Sequence, residues 1–495
     1  MNILFLSQVF PDDRAPVHGT FNLALCRALA ERHPVRVLAP RPWPTMVGRW
    51  LRRQGPVAPP TGPAGLSVTA QYPIYWYLPK LWQHRSDRAM YRAVRGPLRK
   101  LAREFPPDVL LSYWLHPEGA AALEAARELG VPTVCIVGGS DVLLLPHRHP
   151  LRRREVVRVL RDSDAVIAIS EGLRQACLNL GAPASRVHTI YQGIDTALFQ
   201  PRDRQMARRR LRIPATIPTY LWVGRMVEVK RLELLLEAVA ALKRQGERLK
   251  VYLLGDGPRR KSLEELARAL RIHAAVDFVG PVAQDQLADW YSAVDATLLC
   301  SRSEGIPNVL RESLACGTPF VATDVGSIRE LADPAHSLLV PPGDVAAFAR
   351  AMQEIRQERF RLGASLHQPR TWSDTAGEVA TLCAALMATR QAGLHSPRTE
   401  SHGRKSLTLI PTDPESTADN ILPRDERREP PRSVSVSRRK EERELVGTAL
   451  SQTGIAAGPP EDEEPFDIME ALNHRLLAGT GPKGLPESAQ WEEQE

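Results

Sequence analysis

The sequence predicts an α/β protein built from two doubly wound domains in tandem, and three observations lead there. Short β-rich runs alternate with helical ones from Ile3 to Tyr191, the alternation starts afresh at Tyr220, and a polar, proline-containing stretch lies between the two series. Strands that alternate with helices form parallel sheets covered on both faces. Two such series mean two domains.

In the first series the β-rich runs are 3–6, 35–39, 109–113, 133–137, 165–169 and 187–191. Between the first two, Phe21, Leu25, Ala28 and Leu29 recur at the spacing of an amphipathic helix. The second series has β-rich runs at 220–223, 251–254, 277–279, 296–300, 320–323 and 338–340. The stretch between them opens DTALFQPRDRQMARRRLRIP, spans about 195–218 and is basic enough to read as a connection able to hinge. After Trp372 a last helical run reaches about Arg390. The predicted map is a first domain over 1–200, a second over 201–371, a helix over 372–390 and a tail over 391–495. Pro, Ser, Glu and Arg dominate the tail, a composition too poor in apolar surface to offset chain entropy, so disorder is expected. One island in it, PFDIMEALNHRLLAG, sets Ile468, Met469, Leu472, Leu476 and Leu477 on one helical face.

With 495 residues and 43% hydrophobic content the chain can bury sizeable cores in two or three domains. The opening MNILFLSQVFP reads as a first strand rather than a secretory leader. No run approaches the roughly 18 apolar residues of a membrane span. The expected location is cytoplasmic, with the inner face of the plasma membrane as a docking surface. Six cysteines without a CxxC pair are expected to be reduced core thiols rather than zinc ligands or disulfides. The net charge of +8 conceals a split: from Gln391 onward 13 Lys and Arg face 20 Asp and Glu, which leaves the body with 52 against 37, a net +15. A basic body suits nucleotide sugars, anionic lipid or nucleic acid.

The strongest chemical signal lies in VDATLLCSRSEGIPNVLRESLACGTPFVATDV, which reads strand, loop, helix, strand. Proline suits a first helical turn and glycine the position past a helix end, so Pro307 and Gly317 predict a helix from about Pro307 to Cys316. Free amides at a helix N-terminus, at the carboxyl end of a parallel strand, form an anion site, and phosphate is the expected guest. Glu304 and Glu312 flank it, and carboxylates accept hydrogen bonds from sugar hydroxyls. After the 220–223 strand, GRMVEVKRLELLLEAV places Arg225 and Lys230 where charge-assisted bonds could clamp a diphosphate.

Glu304, Gly305, Glu312 and Gly317-Thr318-Pro319 resemble the signature of retaining GT-B glycosyltransferases of family 4, the glycosyl transferases group 1. The resemblance covers about residues 1–390. It implies two facing Rossmann-like domains with the donor bound mainly by the second, and a last helix that crosses back onto the first. It gives Glu304 the catalytic position at the donor sugar and Glu312 the nucleotide ribose. Gly19, Arg225, Lys230, Ile306, Pro307, Asn308 and Val309 complete the implied donor site. The turn Gly255-Asp256-Gly257-Pro258 also matches, whether for turn geometry or for contact with the donor. IYQGID resembles the family's Ile-Pro-Asn-Gly-Val-Asp, with Tyr191 and Gln192 in place of Pro and Asn. On the acceptor side Tyr113 and Gly138 replace imidazole or basic residues of relatives, while His116 and Asp141 stand nearby.

The expected function is therefore that of a retaining hexosyltransferase. It would move a sugar from a UDP-, GDP- or ADP-linked donor to a glycan or lipid-linked acceptor in polysaccharide or glycolipid biosynthesis. No cofactor beyond the nucleotide sugar and no metal is expected, since no Asp-x-Asp triplet follows a strand. A small soluble acceptor is one alternative, and a non-catalytic scaffold for glycan or nucleic acid another; Glu304, Glu312, Arg225 and Lys230 speak against the scaffold. The missing GxGxxG after the first strand speaks against a nicotinamide enzyme. Two aromatic and basic stretches, with Trp43, Arg49, Trp50, Arg52 and Arg53 in one and Tyr75, Trp76, Tyr77, Lys80 and Trp82 in the other, suit an anionic membrane surface. They would also suit RNA, but nothing else resembles a nucleic-acid module, so no nucleic acid is expected.

Overall fold

The computed structural model describes residues 1–13, 15, 18–45, 47, 57, 68–77 and 85–391. Arg49, Trp50, Arg52, Arg53, Lys80, Trp82 and the tail with its amphipathic island lie outside the described residues.

The first domain holds β1 (Ile3–Leu6), β2 (Val35–Leu38), β3 (Arg41–Pro42), β4 (Thr69–Gln71), β5 (Ile74–Tyr75), β6 (Val109–Tyr113), β7 (Thr133–Val137), β8 (Ala165–Ala168) and β9 (Val187–Thr189). Seven of them form a parallel sheet in the order β4-β2-β1-β6-β7-β8-β9, and β3 pairs with β5. The second domain holds β10 (Thr219–Val223), β11 (Lys250–Leu254), β12 (Val276–Gly280), β13 (Ala296–Leu299), β14 (Phe320–Thr323) and β15 (Ser337–Val340). These form a parallel sheet in the order β12-β11-β10-β13-β14-β15. Strands such as β1 and β7 are buried along their whole length because helices cover both faces. Each sheet reverses its order at its first strand, β1 or β10, and such switch points open a crevice beyond the carboxyl ends of the strands. The edge strand β4 is mostly solvent-facing and lacks an apolar run, and β3 and β5 are only two residues each, so none of the three stands out in the sequence.

All six cysteines are buried free thiols. The first core gathers Phe5, Phe10, Val37, Leu111 and Ile136, and the second Trp222, Tyr220, Leu235, Leu253 and Phe348. No helix among the described residues is long and apolar enough to cross a membrane.

The polar stretch after Asp195 is not a free hinge. It forms the helix Arg204–Arg210, packed on the second domain through Arg208, which is buried and donates to the carbonyls of Ala293, Pro214 and Ala215 and to Asp295. A guanidinium goes inside when its donors are met, which is why a run this basic could be absorbed into the body. The crossing between domains lies just before it. The Ile194 amide donates to the Arg370 carbonyl at 2.9 Å, and Ile194 is bridged to Thr371. The helix Trp372–Gln391 then returns to the first domain and buries Ala376, Val379 and Cys383 in its core.

At the crossing a Cβ on Gly193 would stand 2.1 Å from the Thr371 carbonyl carbon, whereas one on Gly377, inside the returning helix, would meet nothing within 4 Å. Gly193→Ala should therefore cost about 1–3 kcal/mol, the range for overpacking a close contact. Gly377→Ala should add about 0.5–1 kcal/mol by helix propensity. Paired urea unfolding curves check both; equal shifts would show that the crossing is not close-packed.

Candidate active site

Beyond β13 the chain enters the loop that carries Glu304 and then the helix Asn308–Ala315. The helix is one residue shorter at each end than the sequence predicts, because Pro307 has extended ψ and acts as N-cap while Cys316 closes the other end. Gly317 follows at φ +70°, and its amide and that of Thr318 return to the carbonyls of Leu314 and Ser313 at 2.9 Å. Ser313 bonds both Thr297 of β13 and the Thr318 carbonyl, which fixes the helix against the sheet. Among the described residues no side chain caps its N-terminus, so the Asn308 and Val309 amides, which no helix carbonyl can take, are left at the end of the loop holding Glu304, Gly305 and Ile306.

Glu304 is held from three directions. Lys230 Nζ lies 2.6 Å from its Oε1, Ser301 Oγ donates to the same oxygen at 2.5 Å, and only 10% of the side chain is exposed. Gly326, at φ +56°, approaches so closely that a Cβ would stand 1.8 Å from the Glu304 carbonyl oxygen. Lys230 is itself fixed, since the Cys300 thiol donates to its carbonyl and the Arg302 amide to that of Val229. Arg225 is exposed at the end of β10. The turn after β11 nests against this loop: a Cβ on Gly255, at φ +117°, would stand 1.9 Å from the Gly224 oxygen. A Cβ on Gly257 would stand 2.4 Å from the Met226 oxygen, so these glycines answer to backbone approach.

Glu312 points to the Tyr291 hydroxyl, which donates to its Oε2 at 2.7 Å. Burial pushes its carboxyl above the ordinary range, with the Tyr291 bond and the Arg311 charge opposing. Arg311 donates to the carbonyls of Gln192 at 2.7 Å and Gly193 at 2.6 Å, so the helix of Glu312 is anchored to the domain crossing.

The facing domain brings its own loops. Gly19, at φ +72°, begins the helix Thr20–Ala30, and a Cβ there would stand 2.4 Å from the Val9 oxygen. Asp141 is buried and accepts from the amides of Gly138 at 3.2 Å and Gly139 at 2.8 Å. A Cβ on Gly138 would stand 2.5 Å from the Tyr113 hydroxyl, so Tyr113 fills the space that a side chain at 138 would need. Gly305 lies opposite, its ideal Cβ 3.8 Å from the Gly138 oxygen. The loop of Glu304 and the loop of Asp141 therefore meet. His116 does not join them: its imidazole is buried in the first domain with Nε2 3.7 Å from Asp87 of the helix Ser86–Glu104. Among the described residues no three His, Cys, Asp or Glu side chains converge as a metal would require.

Sequence reasoning missed Ser301, Tyr291, Arg311 and Glu118. The first three carry no motif: Ser301 bonds Glu304 within its own loop, while Tyr291 and Arg311 stand on helices whose partners, Glu312 and the carbonyls of Gln192 and Gly193, are brought close only by the fold. Glu118 looks like an acid in a first helical turn. It is fully buried, and among the described residues neither carboxyl oxygen finds a partner of ordinary hydrogen-bond geometry. Burial pushes its carboxyl up to about 8, with the Asp141 charge acting in the same direction; burial likewise pushes Asp141 to about 6. A carboxyl raised in this way keeps its proton in the fold while the unfolded chain loses it, so its contribution to stability falls as pH climbs from about 4.5 to 8. Glu118→Gln should change the melting temperature little at pH 5 and raise it at pH 8. Melting curves across that window check it; an unaltered pH slope would mean that Glu118 is not held neutral.

Comparison with known proteins identifies both halves. The model described as Glycosyltransferase Family 4 matches residues 18–198, and the one described as Glycosyl transferases group 1 matches 217–358. The chain is 28% identical over 381 residues, 73% of its length and 90% of the relative's, to a Bacillus subtilis protein provisionally named a teichuronic acid biosynthesis glycosyltransferase. It is 31% identical over 306 residues, 57% of its length and 70% of the relative's, to a D-inositol 3-phosphate glycosyltransferase of Streptosporangium roseum. Among solved structures, Anabaena HepE in complex with UDP superposes with a TM-score of 0.55 at 20% identity, covering 80% of this chain and 99% of that one. The chain belongs to the group 1, family 4 glycosyltransferases and has their GT-B fold.

Proposed function

We propose that this glycosyltransferase moves a sugar from a nucleoside diphosphate donor, UDP-linked in the first instance, to a hydroxyl of a glycan or lipid-linked acceptor with retention of configuration. The observation that carries the reading is the Glu304 carboxylate, set between Lys230 and Ser301 beside an uncapped helix N-terminus and facing the acceptor domain across Gly305 and Gly138. In this reading the diphosphate lies on the Asn308 and Val309 amides with Arg225 and Lys230 balancing its charge, so no metal is invoked. Glu312 accepts from the ribose. Uridine is favoured by the likeness to a fold solved with UDP, and polysaccharide synthesis by the name of the Bacillus relative.

Retention is supported by what the acceptor side offers. The candidates His116 and Asp141 are both buried, so neither is set as a base on the face opposite the diphosphate. The acceptor hydroxyl then enters on the same face: the bond from the anomeric carbon to the diphosphate oxygen breaks, the acceptor oxygen bonds to that carbon, and its proton passes to the departing diphosphate. Glu304 holds the donor sugar and stabilises the positive charge that grows at the anomeric carbon. Glu304→Gln should lower kcat by about 100-fold with UDP affinity changed less than about threefold, the pattern of a contact realised in the transition state. Glu312→Ala should weaken UDP binding by about tenfold, near 1.4 kcal/mol. Calorimetry and NMR of the product's anomeric centre check these; an inverted product would overturn the mechanism.

For the acceptor, exposed apolar and cationic groups on the first domain favour a lipid-borne one. Trp76 is 69% exposed and stacks on Trp43 at 5.3 Å, and Leu144 and Leu151, each 46% exposed, share the 144–154 stretch of the chain with the exposed Arg153 and Arg154. Trp76→Ser combined with Arg153→Glu and Arg154→Glu should abolish sedimentation with phosphatidylglycerol vesicles at low salt while sparing UDP binding. A wild-type protein that ignores such vesicles would favour the second reading, a small soluble acceptor, to which the inositol phosphate relatives point.

A further inference from the structure

A second contact between the domains involves none of the donor groups. Glu330 ends the short turn Ile328–Glu330 of the second domain. Its carboxylate accepts from the amides of Glu171 at 2.8 Å and Gly172 at 2.9 Å, the first residues of the helix Glu171–Asn179 in the first domain. It also accepts from the Tyr191 hydroxyl at 2.9 Å, at the crossing. Beside it Ser327 Oγ bonds Ser170 Oγ at 2.8 Å, and Ser170 is that helix's own cap, taking the Leu173 amide. The amides that a helix leaves unpaired at its start are thus completed by a carboxylate from the other domain.

Carboxylate chemistry fits this place. Two oxygens serve two amides, and the helix dipole favours a negative charge there. Gly172 makes the approach possible, since a Cβ would stand 2.5 Å from Ser327 Oγ and 3.3 Å from Glu330 Oε1. Glu330 is exposed, so water can replace each bond when the domains part, as a contact that forms and releases requires. The same loop reaches the reaction centre: Gly326, next to Ser327, is the residue packed on the Glu304 backbone.

We infer that Glu330 is a positioning residue for glycosyl transfer: docking on the N-terminus of helix Glu171–Asn179 closes the domains and, through Gly326, seats Glu304 against the donor sugar. The inference rests on the role proposed for Glu304. The glutamate acts only through the loop it anchors and touches no reacting atom.

The test uses the full chain with spin labels on Glu104→Cys and Glu265→Cys, one exposed site in each domain, while the native thiols stay buried. With saturating UDP the parent should give one narrow interdomain distance, and Glu330→Ala a broadened or longer one, with kcat lowered about tenfold and UDP affinity within about twofold. Glu330→Gln, close in volume, should fall between and guards against a folding defect. Gly172→Ala displaces the same contact from the other side, so combined with Glu330→Ala it should add nothing to the loss. Unchanged kcat and distances in Glu330→Ala would overturn the inference, and faster turnover would recast the contact as inhibitory and overturn it too. If Glu304→Gln keeps full activity while Glu330→Ala still loosens the domains, the role of Glu304 fails and the latch stands.

Discussion

The ion pair between Lys230 and Glu304 joins the loop after β10 to the loop after its neighbour β13, at the point where the second sheet reverses its order. Everything around it serves to hold those two loops at that distance. The Cys300 thiol and the Arg302 amide tie the Lys230 turn to the Glu304 strand end, and Ser301 shares the carboxylate oxygen that Lys230 takes. Both side chains keep some contact with solvent, so neither charge bears the full cost of burial, and the pair can be reapportioned when an anion enters. A cation already positioned beside a carboxylate needs little rearrangement to meet a diphosphate on one side while the carboxylate meets a sugar on the other.

That constraint explains the glycines. Gly255 against Gly224, Gly326 against Glu304 and Gly193 against Thr371 are places where two backbones meet closer than any side chain allows. The first two are also at positive φ. They mark, in turn, the nesting of the loops after β10 and β11, the support of Glu304 and the crossing between domains. The helix of Glu312 is tied to that crossing by Arg311. The loops after β10 and β11, the loop of Glu304 and the crossing at Gly193 are thus one connected backbone assembly rather than separate motifs.

The departures from the family pattern fall together in space. Tyr113 occupies the volume that a residue larger than glycine at 138 would claim, and Gln192 lies against the Tyr113 hydroxyl. Tyr191 reaches Glu330. Tyr113, Gly138 and Gln192, far apart along the chain, thus meet in one place near the domain boundary.

Much of this was legible in the sequence. Apolar runs located twelve of the fifteen strands among the described residues to within a residue or two because both faces of each large sheet are largely buried, and Pro307 and Gly317 marked the helix of Glu312 because backbone chemistry restricts both positions. Glu304, Lys230 and Glu312 were legible through the pattern they share with a family. The edge strand β4 was not, because a solvent-facing strand needs no apolar run. The packing of 195–218 was not, because burying Arg208 depends on the Ala293 carbonyl and on Asp295, both more than 80 residues away, besides the nearby carbonyls of Pro214 and Ala215. Local pattern determined which segments became strands and helices and which residues stood at their ends. The partners of buried charges such as Arg208, the protonation of Glu118 and the interdomain contact of Glu330 were decided only in three dimensions, since each depends on groups far apart in the chain that the fold alone brings within hydrogen-bonding or Coulombic reach.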